Sequence, residues 1–164
     1  GIVYETGNGI VPNYYQAAEW MARAADAGLP DAKFLLGYYH REGMGVVQDH
    51  YRAHVLVSQS VESGMGHAYF LDGLFFLGTA NEWGRGVPTN LVEAYKWFAL
   101  AASYSRTDSE QHIEAGRSMG ALSTRMSRNE VNDAHSRAQE WRVLHAATAR
   151  ARHEPALIGN SLEM

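Results

Sequence analysis

The chain has no cysteine and only four prolines. Without cysteine there can be no disulfide framework, no thiolate zinc site and no thiol nucleophile, while the redox compartment stays open because cysteine-free chains occur on either side of a membrane. Lysine is almost missing as well: of the 14 basic residues, all but Lys33 and Lys96 are arginine. No window approaches the roughly 18 consecutive apolar residues of a membrane span, and the stretch given shows no basic-then-apolar leader before a small-residue cleavage site. A concentrated basic face is also lacking. Residues 1–105 hold six Lys/Arg against ten Asp/Glu, and residues 106–164 hold eight of each, whereas nucleic-acid binders gather positive charge to neutralise phosphates. Nucleic acid and direct membrane insertion are therefore not expected. What remains is 164 residues, 46% hydrophobic, with a formal net charge of −4, enough for one compact unit or one array of repeats.

Self-similarity at a fixed spacing decides between those two. The stretch Gly1-Ile-Val-Tyr4-Glu-Thr-Gly7-Asn-Gly9-Ile-Val-Pro-Asn13 returns as Gly37-Tyr-Tyr-His40-Arg-Glu-Gly43-Met-Gly45-Val-Val-Gln-Asp49. It returns again as Gly78-Thr-Ala-Asn81-Glu-Trp-Gly84-Arg-Gly86-Val-Pro-Thr-Asn90. Each copy continues on the same spacing: Ala17, Ala53 and Ala94; Trp20, Leu56 and Trp97; Ala24-Ala25, Ser60-Val61 and Ala101-Ala102. Gly28 and Gly64 close the first two copies.

One unit reads as a helix, a glycine turn and a second helix. Gly-x-Gly ends the first helix by taking positive φ without side-chain cost. Asn13, Asp49 or Asn90 then provides a preferred N-cap, and Gln16 and Glu93 three residues later complete a capping-box pattern in two of the copies. Ala, Trp/Leu and Ala-Ala fall on one face of the second helix, where small side chains let two backbones approach. All four prolines lie outside helix interiors. In the third unit, five extra residues within Met65–Phe76 allow two registers. Matching Gly73 to Gly37 would put Asp72 at a core position, so Leu77-Gly78 is taken as the counterpart. Further on, Thr107-Asp-Ser-Glu110 has the form of a capping box before a helix whose Ala115 to Gly120 match Ala32 to Gly37. Ser127-Arg-Asn-Glu130 then caps a long last helix with an apolar stripe of Val131, Ala134, Ala138, Trp141 and Leu144. Trp20, Trp97 and Trp141 are assigned to the core.

These residues resemble the Sel-1-like repeat family, relatives of the tetratricopeptide repeats, whose pattern runs Ala-x-x-x-Leu-Gly-x-x-Tyr-x-x-Gly-x-Gly-Val, then Asp/Asn, then Ala-x-x-Trp-Tyr-x-x-Ala-Ala-x-x-Gly. Ala32, Leu36-Gly37, Gly43-x-Gly45-Val46, Asp49, Ala53, Val61 and Gly64 make the fullest copy, with His40 and Asn81 standing at the usual Tyr position. The resemblance implies an all-α, right-handed α/α superhelix used as a protein-interaction scaffold, in bacterial envelope, signalling and secretion settings or in eukaryotic membrane-protein quality control. The expected layout is about three to four repeats over residues 1–126, the first one truncated, a capping helix over 127–152 and a loosely ordered tail over 153–164. Tyr4, Trp20 and Ala24 are expected near an incomplete end where upstream repeats or another copy of the chain would sit.

Catalytic and metal readings find little support in the sequence. Some members of the family have been described as β-lactam-binding or hydrolysing, but neither lysine has a serine three positions before it and no Walker loop occurs, while the Gly-x-Ser-x-Gly spacing of Gly116-Arg-Ser118-Met-Gly120 falls within the helix matched to Ala32 to Gly37 and not at a strand-to-helix elbow. His50 and His54 lie one helical turn apart, a chelating spacing that still needs a third ligand, for which Asp49 is the nearest candidate. No enzyme activity, cofactor or metal is expected. His40 is expected to hydrogen-bond in place of the repeat Tyr.

The geometry of related helical repeats places positions −2, +2 and +5 from the Leu of Leu-Gly on the inner face of the superhelix. Those are Phe34, Tyr38 and Arg41 in the second unit, Phe75, Thr79 and Glu82 in the third, and Arg117, Ala121 and Thr124 in the last. Phe34, Tyr38, Arg41, Phe75 and Arg117 are the candidate partner-binding residues. Aromatics beside arginine suit a peptide or partner helix with acidic and apolar side chains. The alternatives are a self-assembling structural segment, and, for Phe34 and Phe75, packing between repeats.

Overall fold

Seven helices follow one another in the computed structural model, which describes residues 13–64 and 68–153, the last seven as backbone only. They are α1 (Tyr14–Asp26), α2 (Pro30–Glu42), α3 (His50–Glu62), α4 (Phe70–Trp83), α5 (Leu91–Tyr104), α6 (Glu110–Ser123) and α7 (Arg128–His153). There is no strand among the described residues. Tyr4, the first glycine turn and the expected tail beyond His153 lie outside them.

The caps fall where the polar residues direct them. Asn13 accepts a hydrogen bond from the Gln16 amide at 3.1 Å, Asp49 from the Arg52 amide at 2.8 Å and Asn90 from the Glu93 amide at 3.0 Å. Ser127 and Glu130 close a reciprocal capping box before α7: the Ser127 amide donates to the Glu130 carboxylate at 2.7 Å and the Glu130 amide to the Ser127 hydroxyl at 3.3 Å. This pairing holds the Glu130 carboxyl below its ordinary pKa. Two cap expectations need correcting. The cap of α6 is Ser109, two residues later than the Thr107 pattern suggested, and it accepts from the His112 amide. The Glu93 carboxylate turns to Lys96 at 2.5 Å and to Arg137 of α7 at 2.9 Å, because two cations outbid a backbone amide.

Successive helices pack in order, α1 on α2, α2 on α3, α3 on α4, α4 on α5 and α5 on α6, and α7 lies against α5. Each unit thus meets its neighbours, as a solenoid requires. Two recurring contacts set the repeat geometry. Inside a unit, the backbone of the first helix lies against the second: a Cβ at Gly37 would come within 2.8 Å of Val57, and one at Gly78 within 2.7 Å of the Phe98 ring. Val57 and Phe98 occupy equivalent positions, so Leu77-Gly78 is the correct third register. Between units, the turn glycine sits on the start of the preceding second helix. Gly45 (φ 68°) lies against the Tyr14 carbonyl and Gly86 (φ 81°) against that of His50, where any Cβ would be only 2.2 and 2.1 Å from the oxygen. Each turn is also tied internally, the Asp49 amide donating to the His40 carbonyl and the Asn90 amide to the Asn81 carbonyl, both at 2.8 Å. The two residues at the Tyr position are buried and bonded, His40 through Nδ1 to the Val47 carbonyl at 3.2 Å and Asn81 through Nδ2 to the Leu77 carbonyl at 2.8 Å.

The five extra residues of the third unit enter ahead of its first helix. Five residues lie between Gly64 and the start of α4, against one between Gly28 and the start of α2, and α4 is one residue longer than α2.

Ala17, Ala53 and Ala94 are fully buried, as the repeat spacing requires. The tryptophans divide. Trp97 is 8% exposed because α7 covers it: Trp141 meets it edge-on at 6.1 Å and also contacts Phe70 and Tyr104. Trp20, assigned to the core from its spacing, is 51% exposed with Arg23 over its ring, since among the described residues no helix covers that face of α1. Leu144, expected in the same stripe as Trp141, is 61% exposed.

Candidate functional site

The first helices α2, α4 and α6 enclose a cavity of about 610 Å³, floored by Phe98 of α5. On α2 the lining residues are Phe34, Tyr38 and Arg41; on α4 they include Phe75, Thr79 and Glu82. The i, i+4, i+7 ridge read from the sequence therefore faces one space on both helices. Arg117 does not. Its place is taken by Glu114 and Ser118, one ridge over, with Arg117 turned outward and paired to Glu114. Ala121 and Thr124 also lie outside the lining. The reason is the divergence of α6 from the pattern of the earlier units: it packs on α5 without a second helix closing on its glycine face, so a Cβ at Gly116 or Gly120 would meet nothing within 4 Å.

Four further residues of the lining went unread in the sequence. Asp72 and Phe76 stand five and one positions before the Leu of Leu-Gly, the offsets that Glu114 and Ser118 occupy relative to Met119. Looking for a second i, i+4 ridge beside the first would have found both pairs. Tyr69 comes from the insertion and stacks on Phe34, with centroids 4.8 Å apart and planes 7° from parallel. Phe98 lies against Phe75 at 5.9 Å. Phe34, at 8% exposed, thus packs between units and lines the cavity at once.

The electrostatics differ from the expectation of an acidic partner. Arg41 is already engaged, its guanidinium over the Tyr38 ring at 4.5 Å and the Phe76 ring at 5.5 Å and its Nε donating to Glu42 at 2.5 Å. Among the described residues it is the one cation of the lining, against the carboxylates of Asp72, Glu82 and Glu114. Arg125 pairs with Glu82 at 3.0 Å from outside the lining.

No group of three or more His, Cys, Asp and Glu among the described residues could hold a metal ion. His50 is exposed, whereas His54 is half-buried, and burial lowers its pKa. Around a smaller cleft between α5, α6 and α7, His112 bonds through Nδ1 to the Ala102 carbonyl at 3.0 Å and His135 through Nε2 to the Tyr95 hydroxyl at 3.1 Å. No helix among the described residues is long and apolar enough to cross a membrane.

The Sel1 repeat matches three consecutive stretches, residues 1–29, 30–65 and 71–103, the last two coinciding with the helix pairs α2–α3 and α4–α5. The chain belongs to the Sel1-repeat family. Two solved structures share the fold. One is c5321, a protective antigen of uropathogenic Escherichia coli strains displaying an SLR fold, with TM-score 0.69 and 21% identity over 94% of this chain and 32% of the other. The second is a Sel1 repeat protein from Oxalobacter formigenes, with TM-score 0.65 and 22% identity over 90% of this chain and 55% of the other. The chain thus spans about a third and about half of those two structures. No curated protein matches the sequence. Sel1 repeats are generally protein-interaction modules, which places this chain in that class without naming its partner.

Proposed function

We propose that this Sel1-repeat chain is a non-enzymatic adaptor that holds a peptide or partner helix in the cavity between α2, α4 and α6. The observation that carries the proposal is the convergence of six aromatic rings, Phe34, Tyr38, Tyr69, Phe75, Phe76 and Phe98, from two successive units and the insertion between them onto one open cavity. Interface anchors are typically aromatic, and side chains already packed against one another lose little freedom when a partner arrives. Thr79, exposed in the middle of the lining, makes hydrogen bonds only to its own helix, through the Phe75 and Phe76 carbonyls. A tryptophan there would fill the cavity while leaving the core intact.

The test selects binders from a random peptide display library on the unaltered protein. Selected peptides are then titrated against Thr79→Trp and Tyr38→Ala. Loss of about 2 kcal/mol or more of binding in both, with thermal unfolding unchanged, is expected. Binding unaffected by Thr79→Trp would overturn the proposal.

A further inference from the structure

We infer that the occupant of this groove is a cationic segment, a peptide presenting lysine or arginine side chains between apolar ones. The inference rests on the groove reading above and reverses the partner charge expected from sequence. Three features of the lining support it. Asp72, Glu82 and Glu114 all face the cavity, whereas Arg117 and Arg125, the partners of the last two, do not line it; 72% of the Arg117 side chain and 44% of that of Arg125 remain exposed. Arg41, the remaining cation, has its charge spent on Glu42 and on two ring faces, so an incoming carboxylate would have to displace contacts already made. The floor and walls are aromatic, and ring faces attract cations while repelling carboxylates. The groove already shows this chemistry, since Arg41 lies on Tyr38 and Phe76 as a bound cation would.

An acidic segment would meet three like charges and gain no unengaged guanidinium. A basic segment would gain the carboxylates at little reorganisation cost, and the wider chain, with formal net charge −4, would add to its approach rate. The carboxylates also differ in duty. Glu82 is shielded, its side chain 14% exposed, and is tied to Arg125. Asp72 is exposed in the first turn of α4, where the helix dipole keeps a negative charge favourable, and Glu114 is exposed on α6. Asp72 is thus the first carboxylate available to a partner and Glu114 the second, since Glu114 is reached by exchanging its solvent-exposed partner Arg117 for a cation of the incoming segment.

The experiment uses three fluorescein-labelled peptides of one length and one Leu/Ser framework, differing at four positions that carry Lys, Glu or Gln. Binding is followed by anisotropy at low salt to the unaltered protein, to the D72N/E114Q double variant, to Thr79→Trp and to the control Tyr51→Ala on α3. The Lys peptide is expected to bind most tightly. D72N/E114Q should weaken it about tenfold, the sum of two partly screened ion pairs, and leave the Gln peptide unchanged. Thr79→Trp should weaken it further and Tyr51→Ala not at all. If the Gln and Lys peptides bind equally and Thr79→Trp weakens both, the charge inference fails and the groove reading stands. A Glu peptide binding as tightly as the Lys peptide also defeats it. If Lys preference persists in both Thr79→Trp and D72N/E114Q, the attraction is to the general surface and the inference fails. If no peptide shows any binding sensitive to Thr79→Trp, the groove reading fails with it.

Discussion

A graded series of glycine-to-alanine substitutions separates two physical costs that the repeat turn combines. Gly28 and Gly86 both have positive φ, 89° and 81°, and an alanine forced there loses about 1 kcal/mol. A Cβ at Gly28 would meet nothing within 4 Å, so conformational strain is the whole cost. At Gly86 the same Cβ would lie 2.1 Å from the His50 carbonyl oxygen and 2.4 Å from its carbon. No side chain can swing away to relieve that contact. The turn must lift off α3, and overpacking of this kind costs about 1–3 kcal/mol more. Gly84 should fall between, because its obstacle is the Thr89 hydroxyl at 2.8 Å, which can rotate. At about 2–4 °C per kcal/mol for a chain of this size, Gly28→Ala should lower the Tm by about 2–4 °C and Gly86→Ala by roughly two to four times as much. Thermal unfolding followed by far-ultraviolet circular dichroism reads both. Equal losses for Gly28→Ala and Gly86→Ala would show that the close approach of turn to helix is not what holds successive units in register.

Three further outcomes follow from the same packing. Gly120→Ala should stabilise by about 0.5–1 kcal/mol, the helix-propensity gain at an unobstructed site, whereas Gly78→Ala at the equivalent position should destabilise by about 1–3 kcal/mol through the Phe98 ring, as measured by urea unfolding. Trp141→Ala should cost about 3 kcal/mol, because Trp97, Phe70 and Tyr104 lose their shared neighbour; a change under about 1 kcal/mol would mean that α7 does not cap α5. His54 has its Nε2 buried with no hydrogen-bond partner among the described residues, and burial lowers its pKa from 6.5. The unfolded chain therefore takes up a proton first as pH falls below about 6.5, so stability is lost from there down to the lower folded-state pKa, and His54→Leu should flatten that slope while costing little at pH 8.

Helix pairs, caps and the third register were legible because they depend on local rules repeated at matched positions: Asn13, Asp49 and Asn90 before each second helix, and Gly37 and Gly78 wherever two backbones meet. Arg117 was misplaced because the groove rule assumes that every unit stacks alike, and α6 lacks the partner helix that would hold its Leu-Gly face in the repeat orientation. Trp20 was misread for a related reason. Its spacing matches Trp97, but burial there comes from α7, which covers α5 and not α1. Tyr69 could not be placed at all, since it stands in the insertion, where no repeat position predicts its stacking on Phe34. Glu93 had the capping-box spacing, but Lys96 and Arg137, the latter from a helix distant in sequence, decided where its carboxylate went. Burial alone would raise that carboxyl's pKa, yet these two cations outweigh it and lower it.

The central claim is that a partner occupies the cavity between α2, α4 and α6, and the absence of native cysteine allows a direct reading of it. A single Arg117→Cys carrying an environment-sensitive fluorophore reports from the edge of the cavity, beside Glu114 of the lining, without filling it, and the same label on Tyr51→Cys reports from exposed α3. Addition of a library-selected peptide should shift and saturate the emission at position 117 at the concentration where the peptide binds, and leave position 51 unchanged. A saturating change at position 51 with none at position 117, at the same peptide concentration, would contradict the account.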